Sequence, residues 1–170
     1  MKTQSNYISW NFTTTWAIIE NQTYPYLRSF GQTQDYIPVE KQISNLNELN
    51  NIGRDLNYPW DGQYTLTTDI DASDTVSWDG GLGFKPIGIF TGRFDGNGHV
   101  IKNLYINRWS SKSVGFIGNL IRGEVLNLGL KNIQVTGNMY VGCLIGTNYG
   151  VVKQSYVTGS ARGATDYVGG

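Results

Sequence analysis

The chain has 170 residues, with thirteen Lys plus Arg against thirteen Asp plus Glu and zero formal charge. That length is about one domain's worth and can bury a core without disulfides or metals, and neutrality removes the basic footprint of a nucleic-acid or anionic-membrane binder. One cysteine, Cys143, excludes an internal disulfide or a CxxC cage, and one histidine, His99, excludes His-rich metal sites and argues against triad chemistry. Five Trp, eleven Tyr and six Phe point to an ordered chain, and 22 Gly with four Pro to many tight turns between short strands.

In chain order, the amino-terminal MKTQSNYISWNFTTTW carries a single Lys and lacks the run of roughly 7 to 15 apolar residues of a secretion signal. No segment reaches the roughly 20 apolar residues of a membrane span. Read alone, the chain would be a soluble cytoplasmic protein, although a fragment cut from a larger secreted protein would look the same. Residues 1–35 read as an aromatic tail, with Trp10 and Trp16 alternating with Phe12 in a core-like run. Residues 36–63 read as a helix-containing cap. Within it, Ser44–Gly53 is the one good helix, with Ser44 or Asn45 as cap, Leu46, Leu49 and Ile52 on one face, and Gly53 as terminator. Such a helix suits the covering of a first coil.

From residue 64 to 170 the pattern is all β. Tyr64, Leu66 and Ile70 suit an entering strand, Phe84, Ile87 and Phe90 follow, and Asp95-Gly96-Asn97-Gly98 is a double turn ahead of an alternating strand from His99 to Ile106. Val114, Val141 and Val168 then recur at 27-residue spacing, and Gly118/Gly146, Gly123/Gly150 and Gly137/Gly163 recur at 28, 27 and 26. A coil of fixed girth shows this slippage when glycine corners absorb single residues through positive φ or bulges. Short alternating runs between turn residues predict three short strands per repeat. The expected fold is therefore a parallel β-helix, or β-solenoid, with coils of about 27 residues, three short strands per coil and one capping helix. Asn127 and Gln154, also 27 apart, are placed to stack as an amide ladder. An ordinary β-sandwich with accidental spacing is the alternative.

Val114-Gly115-Phe116-Ile117-Gly118 and Val141-Gly142-Cys143-Leu144-Ile145-Gly146, with Val168-Gly169 one period on, resemble the GLUG motif of bacterial surface adhesins and of the repeat region of IgA-specific metallopeptidases. FTGRFDGNGHVIKNLYI is similar to the lead-in before a first such repeat, and the resemblance runs from about Leu46 to Gly170. Cys143 stands in place of the usual first glycine of the second motif and Phe116 in place of Leu in the first. WNFTTTWAIIENQTYPYLRSF, Trp10 to Phe30, resembles the tail that closes a preceding module. The resemblance implies a secreted or cell-surface prokaryotic protein in which this region is a non-enzymatic structural or adhesive module. Its partner would be a protein or glycan on a host or neighbouring cell. It implies no catalytic residue, since the peptidase chemistry sits on an HExxH helix that this sequence lacks.

Several residues invite a functional reading beside a structural one. Asp69, Asp71 and Asp74 place carboxylates at close spacing, as an oxygen-rich calcium loop would, yet the glycine and distal glutamate of an EF-hand are missing, and solvated turn residues around an inward Ile70 answer equally well. No metal or cofactor is expected. Polysaccharide cleavage wants two carboxylates about 5 to 9 Å apart. The later coils offer Arg122, Glu124, Lys131, Lys153 and Arg162 without such a pair, so a β-helical polysaccharide-cleaving enzyme is the lesser alternative. His99 reads as a hydrogen-bonded corner residue rather than a lone base. Cys143 reads as a buried small hydrophobe in the position Phe116 takes one coil earlier. Trp60, Trp78 and Trp109 lie in polar loops and are the candidate platforms for a carbohydrate-binding module, with burial of each as the alternative. A β-helix ending at Tyr167-Val168-Gly169-Gly170 would leave unpaired backbone groups, so either more chain follows in the natural protein and the β-helix of residues 64–170 is truncated here, or another molecule supplies strands and the chain self-associates through the open coil.

Overall fold

The computed structural model describes residues 16–17, 26–27, 38–165 and 167–169. The chain forms two units, Met1–Ile37 and Pro38–Gly170. Of the first, a short antiparallel pair is described, β1 (Trp16–Ala17) with β2 (Tyr26–Leu27). The rest of the aromatic tail expected over residues 1–35, Trp10 included, lies outside the described residues.

The second unit opens with β3 (Glu40–Ile43), α1 (Leu46–Asn51), β4 (Gln63–Leu66) and β5 (Ile70–Asp71), then a 3-10 stretch, Ser73–Gly81, that breaks at Trp78, Asp79 and Gly80. There follow β6 (Ile87–Phe90), β7 (Arg93–Asp95), β8 (Val100–Lys102), β9 (Tyr105–Asn107) and β10 (Lys112–Val114). The last two coils are β11 (Ile117–Leu126), β12 (Gly129–Gly137), β13 (Met139–Gly142), and β14 (Ile145–Lys153), β15 (Tyr156–Gly163), β16 (Val168–Gly169). They build three parallel sheets. The first has the order β14-β11-β7-β4-β3, with β6 also on β11; the second β15-β12-β8-β5, with β9 also on β12; the third β10-β13-β16. This is a β-solenoid of about four turns, as the repeat predicts. Val114, Val141 and Val168 are parallel partners in the third sheet, in the register their 27-residue spacing demands.

Alternation puts apolar side chains inside and stacks them coil on coil. Tyr64, Phe94 and Val125 form one column, Ile70, Ile101 and Leu130 a second, and Ile87, Ile117 and Ile145 a third. Phe116 lies in the core between Phe84, at 6.1 Å between ring centroids, and Phe94, edge-on at 5.4 Å. α1 is shorter than expected. Asn45 is its N-cap, accepting from the Glu48 N–H at 3.0 Å, while the Glu48 carboxylate reaches back to the Ser44 N–H at 2.7 Å. Leu49 and Ile52 are buried in the core and Leu46 packs against it. The helix lies inside the solenoid's run rather than ahead of it. β3, which precedes α1, already pairs in register with β4. Its polar EKQI sequence gave no strand signal.

The corners are turned differently from the glycine corners expected. Left-handed backbone falls on Asn103, Ser113, Arg122, Asn127, Asn132, Tyr140, Gln154 and Tyr167, with φ between 47° and 67°. Gly123 and Gly150 are not among the residues of positive φ. Their role is clearance. A Cβ on Gly123 would lie 2.8 Å from the Gly92 carbonyl oxygen, and on Gly92 and Gly150 it would meet the carbonyls of Gly62 and Gly123 closer still. At this corner successive coils approach so closely that no side chain fits.

Gly123→Ala therefore adds a methyl against rigid backbone and is expected to destabilise by about 1–3 kcal/mol. Gly88→Ala, whose Cβ would point into open space, is expected to stay within about 0.5 kcal/mol of the parent. Urea denaturation of the two variants checks this, and equal losses would contradict the clearance argument.

Candidate functional site

The polar side chains with the clearest geometry form ladders along the outside of the coils. Asn103 and Asn132 are left-handed corner residues one coil apart. Asn132 Nδ2 donates to Asn103 Oδ1 at 2.8 Å, and Asn103 Nδ2 donates to Asp71 Oδ1 at 3.0 Å, so an amide ladder runs through three coils. The ladder expected at Asn127 and Gln154 takes another form. Both residues are left-handed, but Asn127 Nδ2 donates to Asp95 Oδ1 of the preceding coil at 3.0 Å. A third column, Ser113, Tyr140 and Tyr167, is also left-handed and stacks the two tyrosine rings at 5.1 Å.

Of the calcium candidates, Asp71 belongs to the first ladder and Asp69 makes separate contacts to the next coil. Asp69 Oδ1 accepts from the Val100 N–H at 3.0 Å and lies 3.2 Å from His99 Nδ1. These contacts, the Val100 N–H first, hold the Asp69 carboxyl below its ordinary value. Asp71 also accepts from the Ser73 N–H at 3.1 Å and lies 3.5 Å from Lys102 Nζ. Its pKa falls from 3.8 to about 2, chiefly through the Asn103 amide. Asp74 lies in the first turn of the 3-10 stretch. Among the described residues, no three His, Cys, Asp or Glu side chains gather as a metal-holding group. His99 is hydrogen-bonded at its corner. Cys143 is buried in register with Phe116, whose N–H donates to the Cys143 carbonyl at 3.1 Å, and burial raises its thiol pKa.

Asp95 and Glu124, one coil apart, share Arg93. Arg93 Nη2 meets Asp95 at 2.9 Å, Arg93 Nε meets Glu124 at 3.5 Å, and Lys153 Nζ meets Glu124 at 2.7 Å. Each carboxylate thus has a cation at hand, and the four side chains tie three coils together across the outer face of the first sheet. Arg93 and Glu124 are register partners 31 residues apart, a spacing outside the 27-residue period. Lys131 lies over the Tyr156 ring at 5.8 Å. Arg122 is one of the left-handed corners and Arg162 pairs in register with Thr136.

The three candidate tryptophans fall on different corners. Trp78 is half-buried, packed on the core with its ring 6.4 Å from Phe84, and is not an open platform. Trp60, between α1 and β4, and Trp109, in the turn between β9 and β10, are exposed. Exposure is concentrated in the last described coil as well: Tyr149, Val151, Val152, Tyr156, Tyr167 and Val168 are all exposed, although Val125 and Val141, the partners of Val152 and Val168, are buried.

The arrangement defines a class, a β-solenoid whose outward polar groups mainly hold one coil on the next, which fits a structural module. No family model and no solved structure matches the chain. Over 116 residues it is 41% identical to halomucin of Haloquadratum walsbyi, a match covering 64% of this chain and 1% of that protein. Over 105 residues it is 36% identical to a protein of Evansella cellulosilytica, a Gly-rich membrane protein by name, covering 56% of this chain and 12% of that one. The chain thus spans a small fraction of the length of the relatives it matches. No helix among the described residues is long and apolar enough to cross a membrane.

The Asp71 shift sets a pH dependence. Its folded pKa is depressed, so its contribution to stability is complete above the unfolded value of about 3.9 and is lost as pH falls toward about 2. Urea midpoints measured from pH 5 down to pH 2 are expected to fall less steeply for Asp71→Asn than for the parent; parallel curves would show that the ladder does not hold the charged form.

Proposed function

We propose that the chain is a non-enzymatic β-solenoid module of a secreted or cell-surface prokaryotic protein, a stiff segment whose corners present side chains to a protein or glycan on another cell. The observation that carries this reading is the use of the outward polar groups. The Asp71-Asn103-Asn132 ladder and the Arg93-Asp95-Glu124-Lys153 network bridge coils rather than converge on a cleft. The names of the two relatives, a halomucin and a membrane protein, favour a surface location. The GLUG resemblance points the same way. Its glycines have a physical counterpart here, since a Cβ on Gly115 would lie 2.7 Å from the Gly142 carbonyl oxygen, and Gly118 and Gly146 occupy one register column after Ile117 and Ile145. An antibody raised against the chain is expected to label intact cells of the organism that encodes it; labelling only after permeabilisation would refute the surface reading. Incubation with acidic polysaccharides is expected to release no reducing ends.

A second reading concerns assembly. Val152, Tyr156 and Val168 are exposed on a coil that has no strand on its far side among the described residues. A second copy of the chain supplies matching edges. In a two-fold dimer the same edge of each copy meets the other, so that their strands run antiparallel. Sedimentation velocity is expected to show a dimer that grows with concentration and is weakened by Val168→Asp. A monomer at every concentration would overturn it.

A further inference from the structure

Between α1 and β4 the chain doubles back on itself, and the corner carries two exposed apolar side chains. Leu56 is 98% exposed and Trp60 is 50% exposed. They border a groove of about 370 Å3 whose lining also includes Pro59, Asp55, Asp61 and Thr91. That volume falls within the roughly 300–1,000 Å3 of small-molecule sites.

Trp60 is held, not loose. Its Nε1–H donates to the Gly53 carbonyl at 2.9 Å, and its own carbonyl accepts from the Thr91 N–H at 3.0 Å and the Gly92 N–H at 3.1 Å. The Gly53 N–H closes the loop onto the Tyr58 carbonyl at 2.7 Å. Gly53 has φ +73°, and any Cβ there would strike the indole. The ring thus rests on a glycine that has both the conformation and the clearance to receive it. An indole fixed before its ligand arrives avoids most of the ordering cost of binding. Trp109 makes the contrast. It is 64% exposed, and its indole has no hydrogen bond among the described residues.

The rim of the groove is acidic. Asp55 uses Oδ1 to accept from the Asn57 N–H at 2.7 Å and Nδ2 at 3.1 Å, which leaves its Oδ2 without a donor among the described residues, and Asp61 is exposed beside the indole. Arg54 also borders the groove, but its guanidinium donates to the carbonyls of Asn50, Ile52, Lys85 and Pro86 and is turned into the protein's own loops. An anionic ligand would meet two carboxylates and a cation already engaged. A flat apolar face edged by acceptors matches instead a ring with one C–H face and a hydroxyl rim.

We propose that this groove binds a neutral pyranose unit of a glycan. The C–H face stacks on Trp60, Leu56 and Pro59 flank it, and Asp55 and Asp61 accept from its hydroxyls. The site rests on the groove itself and does not require the module to lie on a cell surface, so its test is separate from the antibody experiment. The 170-residue chain is titrated with maltohexaose, cellohexaose and xylohexaose, with an oligogalacturonate as the anionic comparison, following tryptophan fluorescence and calorimetry. Saturable binding of at least one neutral oligosaccharide is expected, with weaker or no binding of the oligogalacturonate. Trp60→Ala is expected to weaken binding roughly tenfold or more. Trp60→Phe keeps a flat ring and retains part of it. Asp61→Asn weakens it several-fold, and Trp109→Ala leaves it unchanged. Each variant is first matched to the parent in circular dichroism and urea midpoint, so a loss of fold is not counted as a loss of binding. The proposal fails if no neutral oligosaccharide binds, if binding survives Trp60→Ala, if Trp109→Ala abolishes it, or if the anionic sugar binds more tightly.

Discussion

Everything in this solenoid depends on how closely one coil can lie on the next, and a corner of the first sheet repeats that constraint from coil to coil. Gly62, Gly92, Gly123 and Gly150 stand there one above another, each immediately before a strand segment that begins at Gln63, Arg93, Glu124 or Val151. A Cβ on Gly92, Gly123 or Gly150 would run into the carbonyl of the glycine one coil earlier. The constraint comes from spacing rather than from dihedral freedom, since none of the four has positive φ. Parallel ladders set the distance between coils at about 4.8 Å, and a bend toward the neighbouring coil leaves no room for even a methyl group.

Left-handed residues at the other corners solve a different problem. A chain that changes direction several times per coil must place some residues in a conformation that costs an L residue about 1–2 kcal/mol. Asn tolerates it best after glycine because its short amide can hydrogen-bond locally. Here the amides bond to the coil before, so the residues that turn the corner also fix its register. Asn103 and Asn132 do this toward Asp71, and Asn127 does it toward Asp95. Where the corner residues are Tyr140 and Tyr167, ring stacking takes the place of the amide bond.

The sequence made the later coils legible and hid the earlier ones, for a physical reason. From Val114 onward the corners hold few residues, and inward positions recur every 27. Upstream, Ile87-Gly88 occupies the same register as Ile117-Gly118, but 30 residues away, and Ile101 pairs with Leu130 at 29. The register is intact while the period is not, because the Gly96–His99 and Arg108–Ser111 turns lengthen the third coil at corners, where girth is unconstrained. A fixed-period search sees only coils of equal girth. The capping chemistry of α1 could be read from Ser44, Asn45 and Glu48 because it is local. The Arg93-Glu124-Lys153 network could not, because it exists only once three coils are stacked. Trp60 and Trp78 looked alike in sequence. What separates them is tertiary, a glycine carbonyl beneath one and a phenylalanine beside the other.

The same geometry explains why burial fades along the stack. An inward side chain in a solenoid is covered mainly by its counterparts one coil below and one coil above. Val125 has Phe94 on one side and Val152 on the other and is fully buried; Val152, with a partner on one side only, is 38% exposed. Ile43, in the first coil, does not suffer this loss, although it too has a strand on one side only, Leu66 in β4. Leu49 and Ile52 of α1, the helix that follows β3, are buried in the same core. Among the described residues, burial is thus deep in the coil that carries α1 and shallow in the last one, where valines and tyrosines are exposed.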